Sequence, residues 1–390
     1  MNKRLLRLAK MSNGARASAR FTVHSHRTLE MPGSLSLRTA KRRERRAPCS
    51  ALLRYPLVRD SIVSVLALIC LAGGVHAQTN WTMPVESPRT VKLADVRLRD
   101  CCVWADTNTL TYYLVSSTGR RGTNGRSAVI EFTSKDLETW EGPRVIFEVP
   151  EDFWAQRGIW APELHADKGK FYLFLTFNTD ELLPEQWRDW LPRVKRGSQV
   201  LVSDSPSGPF KPFANHSTLP ADMMTLDGTF WVEDGVPFMV FSHEWVQITD
   251  GRMEYIQLKD DLSDTVGEPK WMFQASDASW SRKSEQYGCH VTDGPYLYRS
   301  QSGKLMMVWS SFGTGGYTVG VAVSKSGKLA GPWEQQAQPL FAEDGGHPML
   351  FHRFDGQLMM ILHQPNHAPN ERARMLEVED MGDTLRLKHR

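Results

Sequence analysis

Five short apolar runs rich in aromatic residues recur along the chain: residues 112–116 (YYLVS), 171–176 (FYLFLT), 237–242 (PFMVFS), 305–310 (LMMVWS) and 358–363 (LMMILH). Their starts are 59, 66, 68 and 53 residues apart. Each follows a turn rich in Gly, Asp, Asn or Lys. Before each turn stands another strand-like run, at 99–104, 161–165, 226–232, 292–298 and 346–351. A third run follows each pair, at 128–133, 198–203, 253–258, 317–324 and 374–379. Three of these third runs are closed by a Gly-Pro step, at Gly142-Pro143, Gly208-Pro209 and Gly331-Pro332. A unit of antiparallel strands repeated every 50–70 residues cannot bury its apolar face alone and does so against its neighbours around an axis. The repeat predicts an all-β chain, a five-bladed β-propeller of four-stranded antiparallel blades. A β-sandwich would require five in-phase copies to arise by chance. Residues 181–196 (ELLPEQWRDWLPRVKR) are the one place where a short helix is expected.

The repeat occupies only part of the 390 residues. Residues 1–77 carry 15 Lys and Arg against three acids, a balance of +12, whereas the whole chain is +3. Residues 78–390 are therefore at −9, and the basic character belongs to the N-terminus rather than to a nucleic-acid surface. Residues 61–74 (SIVSVLALICLAGG) are uncharged, follow Arg54 and Arg59 and precede Val75-His76-Ala77. This is the order of a signal peptide, and fourteen residues are too few to span a bilayer. The expectation is a basic leader plus signal peptide over 1–77 and a single propeller domain over 78–390, secreted or periplasmic after cleavage near Ala77. Beyond the signal, no stable membrane span and no nucleic-acid partner are expected. Cys101, Cys102 and Cys289 remain, an odd number with a vicinal pair, which is no disulfide framework, although a bridge to Cys289 is open. No CxxC or HExxH spacing points to zinc.

In a propeller the first strand of each blade lines the central channel. The residues that begin those strands, Asp100, Glu163, Asp227, Asp293 and His347, are expected at one mouth. Any one of them alone reads as a turn residue. Together they are carboxylates sharing a pocket, which drives their pKa values apart and lets an acid and a base coexist near neutral pH. Paired carboxylates with aromatic rings nearby and an export signal suggest glycoside hydrolysis on a carbohydrate substrate. Trp104, Trp160, Trp231, Trp245 and Tyr296 lie on or near the ring, as sugar platforms or as packing between blades.

The phrases RLRDCCVW (97–104), IWAPELHADKGKFYLF (159–174), LDGTFWVEDGVPFMVF (226–241), DGPYLYRSQSGKLMMVWSS (293–311), GPW (331–333) and GGHPMLF (345–351) resemble glycoside hydrolase family 43 over nearly all of residues 90–380. The resemblance implies a five-bladed propeller that inverts the anomeric centre. It implies Asp100 as general base, Asp227 as the aspartate that orients the acid and raises its pKa, and Asp293 as general acid. It further implies His347 beside a calcium ion or its waters in the central channel, and Trp104, Trp160, Glu163, Trp231, Tyr296 and His347 around the substrate. The family's usual RDP is here Arg99-Asp100-Cys101, and its usual acid, a glutamate before Gly-Pro, is here Asp293. An aspartate is one methylene shorter, so Glu244 in FSHEWVQ (241–247) is the alternative acid. The implied substrates are arabinose-, xylose- or galactose-containing glycans, and the lack of a second sandwich after residue 380 leans toward arabinose or galactose. A propeller that binds sugar without cleaving it is the alternative, motivated by Asp293. A phosphorylase would need a cluster of cations such as Arg99, Arg282, His290 and Arg299.

Overall fold

The computed structural model describes residues 88–118 and 125–388. The leader and signal-peptide reading lies outside these residues. The described chain is a five-bladed propeller with its strands in chain order. The first blade comprises β1 (Arg89–Val91), β2 (Cys102–Asp106), β3 (Thr111–Ser117), β4 (Ala128–Ser134) and β5 (Trp140–Glu148). The second comprises β6 (Ile159–Asp167), β7 (Lys170–Leu182), β8 (Val194–Ser203) and β9 (Lys211–Pro212), and the third β10 (Thr225–Glu233), β11 (Val236–His243), β12 (Arg252–Leu258) and β13 (Thr265–Gln274). The fourth comprises β14 (Asp293–Arg299), β15 (Leu305–Gly313), β16 (Gly316–Ser324) and β17 (Trp333–Gln335), and the fifth β18 (Gly346–His352), β19 (Leu358–Gln364), β20 (Arg372–Asp380) and β21 (Leu385–Leu387). Each blade is a four-stranded antiparallel meander, and the first gains β1 as an added outer edge paired to β5.

The fifteen expected inner strands all appear, within a few residues of their expected ends. The three Gly-Pro steps that close the third runs are cis peptides, one within β5 and the other two just before β9 and β17. The helix expected over 181–196 does not form. Pro184 and Pro192 interrupt it, because proline lacks the donor and clashes with the preceding turn. Instead β7 runs on to Leu182, a loop follows, and β8 starts at Val194. One short helix, α1 (Trp245–Ile248), stands after β11. No helix of the described residues is long and apolar enough to cross a membrane.

Burial follows the repeat. The second strand of each blade and the third strand of blade four are close to continuous apolar runs, because both faces are covered by neighbouring blades. Trp140, Trp309, Phe132, Phe174, Phe177, Phe241 and Phe273 are fully buried and fill the wedges between blades. The ring closes between the ends of the domain. Arg97 makes a two-pronged ion pair with the buried Glu371, with both N–H···O distances 3.0 Å, and Leu98 N donates to Glu371 O at 3.3 Å. Cys101, Cys102 and Cys289 are free, buried thiols, so the bridge left open by the sequence is not made. Burial pushes the Cys101 thiol up to about 12 and the Cys289 thiol up to about 11.

Candidate active site

The inner strands share one backbone device. Asp100, Ala161, Asp227, Gly294 and His347 all have positive φ, at 48°, 45°, 56°, 53° and 57°. In blades two to five, the ladder skips at that residue. Pairing breaks between Trp160 and Glu163, Leu226 and Thr229, Asp293 and Tyr296, and Gly346 and Met349. Each is a bulge that re-aims one side chain at the head of the strand. Four of the five are non-glycine residues in a region L-residues avoid, a conformation that concentrates at functional sites. The shared position therefore differs from the expected set in two blades. In blade two it is Ala161, and Glu163 lies two residues further down. In blade four it is Gly294, and Asp293 lies one residue before it. Glycine is required there, since a Cβ on Gly294 would stand 3.0 Å from His347 Cα, Cγ and Nδ1.

The three aspartates and His347 meet at this mouth. His347 Nδ1 is 3.6 Å from Asp100 Oδ1 and 3.7 Å from Asp227 Oδ2. Asp227 is anchored by its own N–H donating to Thr176 Oγ1 at 2.8 Å, while Gly294 N–H donates to Asp227 Oδ2 at 2.9 Å. Tyr317 OH donates to Asp293 Oδ2 at 2.9 Å. Arg99 Nε stands 3.3 Å from Asp100 Oδ2, and Arg99 also donates to Asn366 Oδ1 at 2.7 Å. His363, fully buried, places Nδ1 3.0 Å from Asp100 Oδ1, out of line for a hydrogen bond, so neither atom has a hydrogen-bond partner.

These surroundings split the carboxylates. Burial opposes charge on Asp100, but Arg99, His347 and His363 outweigh it and hold the carboxyl far below the usual range. Burial pushes Asp293 up to about 7, with the Asp227 charge adding to the shift and the Tyr317 hydrogen bond opposing it. Burial and the Asp100 charge push Asp227 well above the ordinary aspartate value, against the Gly294 N–H. One mouth thus holds an ionised carboxylate and a carboxylic acid that keeps its proton up to neutral pH, which is the condition for paired acid and base chemistry. Phenylalanine at Tyr317 removes a donor that favours the ionised form of Asp293. The carboxyl is then expected to titrate higher, and the alkaline limb of the activity profile to move to higher pH. A limb that stays in place or falls would contradict this.

Glu244 is not free. Its carboxylate is ion-paired with Arg196, whose guanidinium lies 4.3 Å over the Trp160 ring. Burial raises the Glu244 pKa, and Arg196 opposes the rise. Glutamine at Glu244 would leave Arg196 largely desolvated without its counter-charge, at an expected cost of about 3 kcal/mol. An unchanged denaturation midpoint would refute that. Glu163 is buried, bonded to His165 Nε2 at 2.7 Å, and its Oε1 is unpaired, one layer below the ring. Trp104 and Trp231 stand four residues down their strands from Asp100 and Asp227. Trp104 packs on Tyr113 and Phe171, Trp231 lies under Arg299, and Tyr296 is wedged between cores. Trp160 and Trp245 remain beside the mouth.

Tyr317, His363 and Asn366 were not signalled by the sequence. Tyr317 comes from the third strand of blade four and meets Asp293 within that blade, while His363 and Asn366 come from the end of the second strand of blade five and the loop beyond it, and only blade closure brings them to Asp100 and Arg99. The four candidate phosphate cations do not assemble. Arg99 is in the ring, Arg282 and His290 are on the loop before β14, and Arg299 binds Gly303 O at the opposite end of that strand. For calcium, the ring supplies the unpaired Asp100 Oδ1 and two imidazole nitrogens, whereas calcium takes six to eight oxygens. Among the described residues no three His, Cys, Asp or Glu side chains gather to hold a metal ion. This donor set does not fit a calcium ion held by side chains.

Similarity to known proteins agrees with this geometry. The profile of Glycosyl hydrolases family 43 matches residues 94–383. An endo-arabinase from Bacteroides thetaiotaomicron VPI-5482 is 37% identical, with a TM-score of 0.66 over 74% of this chain and 96% of that one. An endo-1,4-beta-xylanase from the same organism is 20% identical, with a TM-score of 0.56 over 77% of this chain and 97% of that one. An exo-1,5-alpha-L-arabinanase from a bovine ruminal metagenomic library is 17% identical, with a TM-score of 0.52 over 75% and 97%. At those last two identities the likeness carries the fold alone. No curated protein matches the chain. The family match over most of the chain, together with the propeller and its ring of carboxylates, means that the chain belongs to glycosyl hydrolase family 43 and is a glycoside hydrolase.

Proposed function

We propose that the protein hydrolyses arabinose-containing glycans by an inverting mechanism, with Asp100 as base and Asp293 as acid. The observation that carries the reading is the meeting of these carboxylates at one mouth in opposite surroundings, Asp100 beside Arg99, His347 and His363 and Asp293 beneath the Tyr317 hydroxyl. The choice of sugar rests on the 37% identity to the endo-arabinase. Asp100, ionised, takes a proton from a water as the water oxygen bonds to the anomeric carbon. Asp293, protonated, gives its proton to the departing glycosidic oxygen as that bond breaks. Asp227, held by Gly294 N–H and His347, keeps negative charge near Asp293 costly and so keeps the acid loaded. Trp160, with Arg196 stacked on it, forms one wall of the mouth. Secretion or export to the periplasm is part of the proposal, supported by the apolar run before Ala77.

The test is a panel of aryl glycosides (α-L-arabinofuranoside, β-D-xyloside, β-D-galactofuranoside and β-D-galactoside) with residues 78–390. Turnover of the arabinofuranoside above the others supports the proposal. Turnover of another sugar keeps the chemistry and overturns the arabinose assignment.

A further inference from the structure

Three segments on the face that carries the ring bring aromatic side chains together. β6 starts at the mouth and β7 returns to it, so the 183–193 loop between β7 and β8 emerges there. α1 follows the mouth end of β11, and the segment 275–292 leads into Asp293. Four rings from these segments form a continuous row. Trp187 and Trp190 have centroids 6.1 Å apart, Trp190 and Trp245 6.3 Å, and Trp245 and Tyr287 5.0 Å. The inner end joins the ring of carboxylates through Glu244, its partner Arg196 and Trp160, the residue before Ala161.

This loop is built, not slack. Gln186 Nε2 donates to Leu183 O at 2.9 Å and to Arg193 O at 2.7 Å, and Arg193 N–H donates back to Gln186 Oε1 at 3.1 Å. Trp190 Nε1 donates to Val246 O at 2.7 Å and ties the loop to α1. The buried Arg193 guanidinium lies 3.4 Å over the Trp187 ring, and Trp187 Nε1 donates to Glu185 Oε1 at 2.9 Å. Trp187 is nonetheless 39% exposed. Glu185, Arg188 and Asp189 beside it are also exposed. One face of this indole covers the buried Arg193 guanidinium, and the rest stands at the surface in one fixed orientation beside Glu185, Arg188 and Asp189. It offers a preorganised apolar plate with hydrogen-bonding groups at its rim.

We infer that the 183–193 loop and α1 form a glycan-binding track along which a polysaccharide chain lies on its way into the mouth, with the C–H face of a sugar ring seated on Trp187. This rests on the glycosidase reading and adds that the working substrate is a polymer. Trp187→Ala is compared with wild type on linear arabinan and on the aryl arabinofuranoside. Retardation of the Asp100→Asn protein and of its Trp187→Ala double variant is followed by electrophoresis through linear arabinan. The track predicts a KM for arabinan raised about tenfold, weaker retardation, aryl glycoside kcat/KM within about twofold, and recovery in Trp187→Tyr. An unchanged arabinan KM, or an equal loss on both substrates, overturns it. A wild-type protein neither active on nor retarded by arabinan, xylan or galactan contradicts the glycosidase reading itself, and the track with it.

Discussion

Asparagine at Asp100 is expected to lower kcat/KM by about 10²- to 10⁴-fold, the contribution of a positioned general base, while the protein stays folded. The second half of that expectation follows from local structure. Asp100 has φ 48°, and asparagine is among the few residues that accept this region readily. Its Oδ1 makes no hydrogen bond that the substitution would break. The Arg99 contact weakens, but Arg99 keeps Asn366 and Glu371. Circular dichroism should stay close to wild type and the melting temperature should fall, since the charge that Arg99, His347 and His363 stabilise is lost, while release of reducing sugar collapses. Wild-type turnover in this variant would remove Asp100 from the mechanism.

The Asp293→Asn variant should separate substrates by their leaving groups. A sugar or alkoxide leaving group needs the proton, so cleavage of a glycan is expected to fall by about 10²- to 10⁴-fold. A dinitrophenolate departs without one, so its glycoside should lose less than about tenfold. Tyr317 can still donate to the amide oxygen, which keeps the side chain in place. Equal losses on both substrates would take the acid role from Asp293. An equal split in Glu244→Gln would give it to Glu244.

Much of this site was legible because position within a repeat is legible. The spacing of apolar runs located all five blades, and the strand heads located Asp100, Asp227 and His347. The reading slipped in blades two and four for a physical reason. Each strand head holds a bulge, and a bulge adds a residue that a two-residue alternation cannot register, so Glu163 and Asp293 were aligned with positions that Ala161 and Gly294 occupy. β1 escaped notice because three exposed or half-buried residues carry no apolar pattern. The helix expected at 181–196 rested on apolar spacing, and Pro184 and Pro192 outweighed it. Tyr317, His363 and Asn366 gave no signal, since nothing along the chain relates residue 363 to residue 100. Closure of blade five onto blade one creates the role of His363 and Asn366, whereas Tyr317 reaches Asp293 from two strands away within blade four.

The most direct test of the account is the pH dependence of kcat/KM for wild type, Asp293→Asn and Glu244→Gln on linear arabinan, whose departing sugar needs the proton. Asp293 must be protonated to act, and its pKa is about 7, so activity should be full below that pH and fall as pH rises through it. That limb should vanish in Asp293→Asn and persist in Glu244→Gln. A limb that survives the loss of Asp293, or activity that stays level well above neutral pH, would contradict the assignment of acid and base on which the account rests.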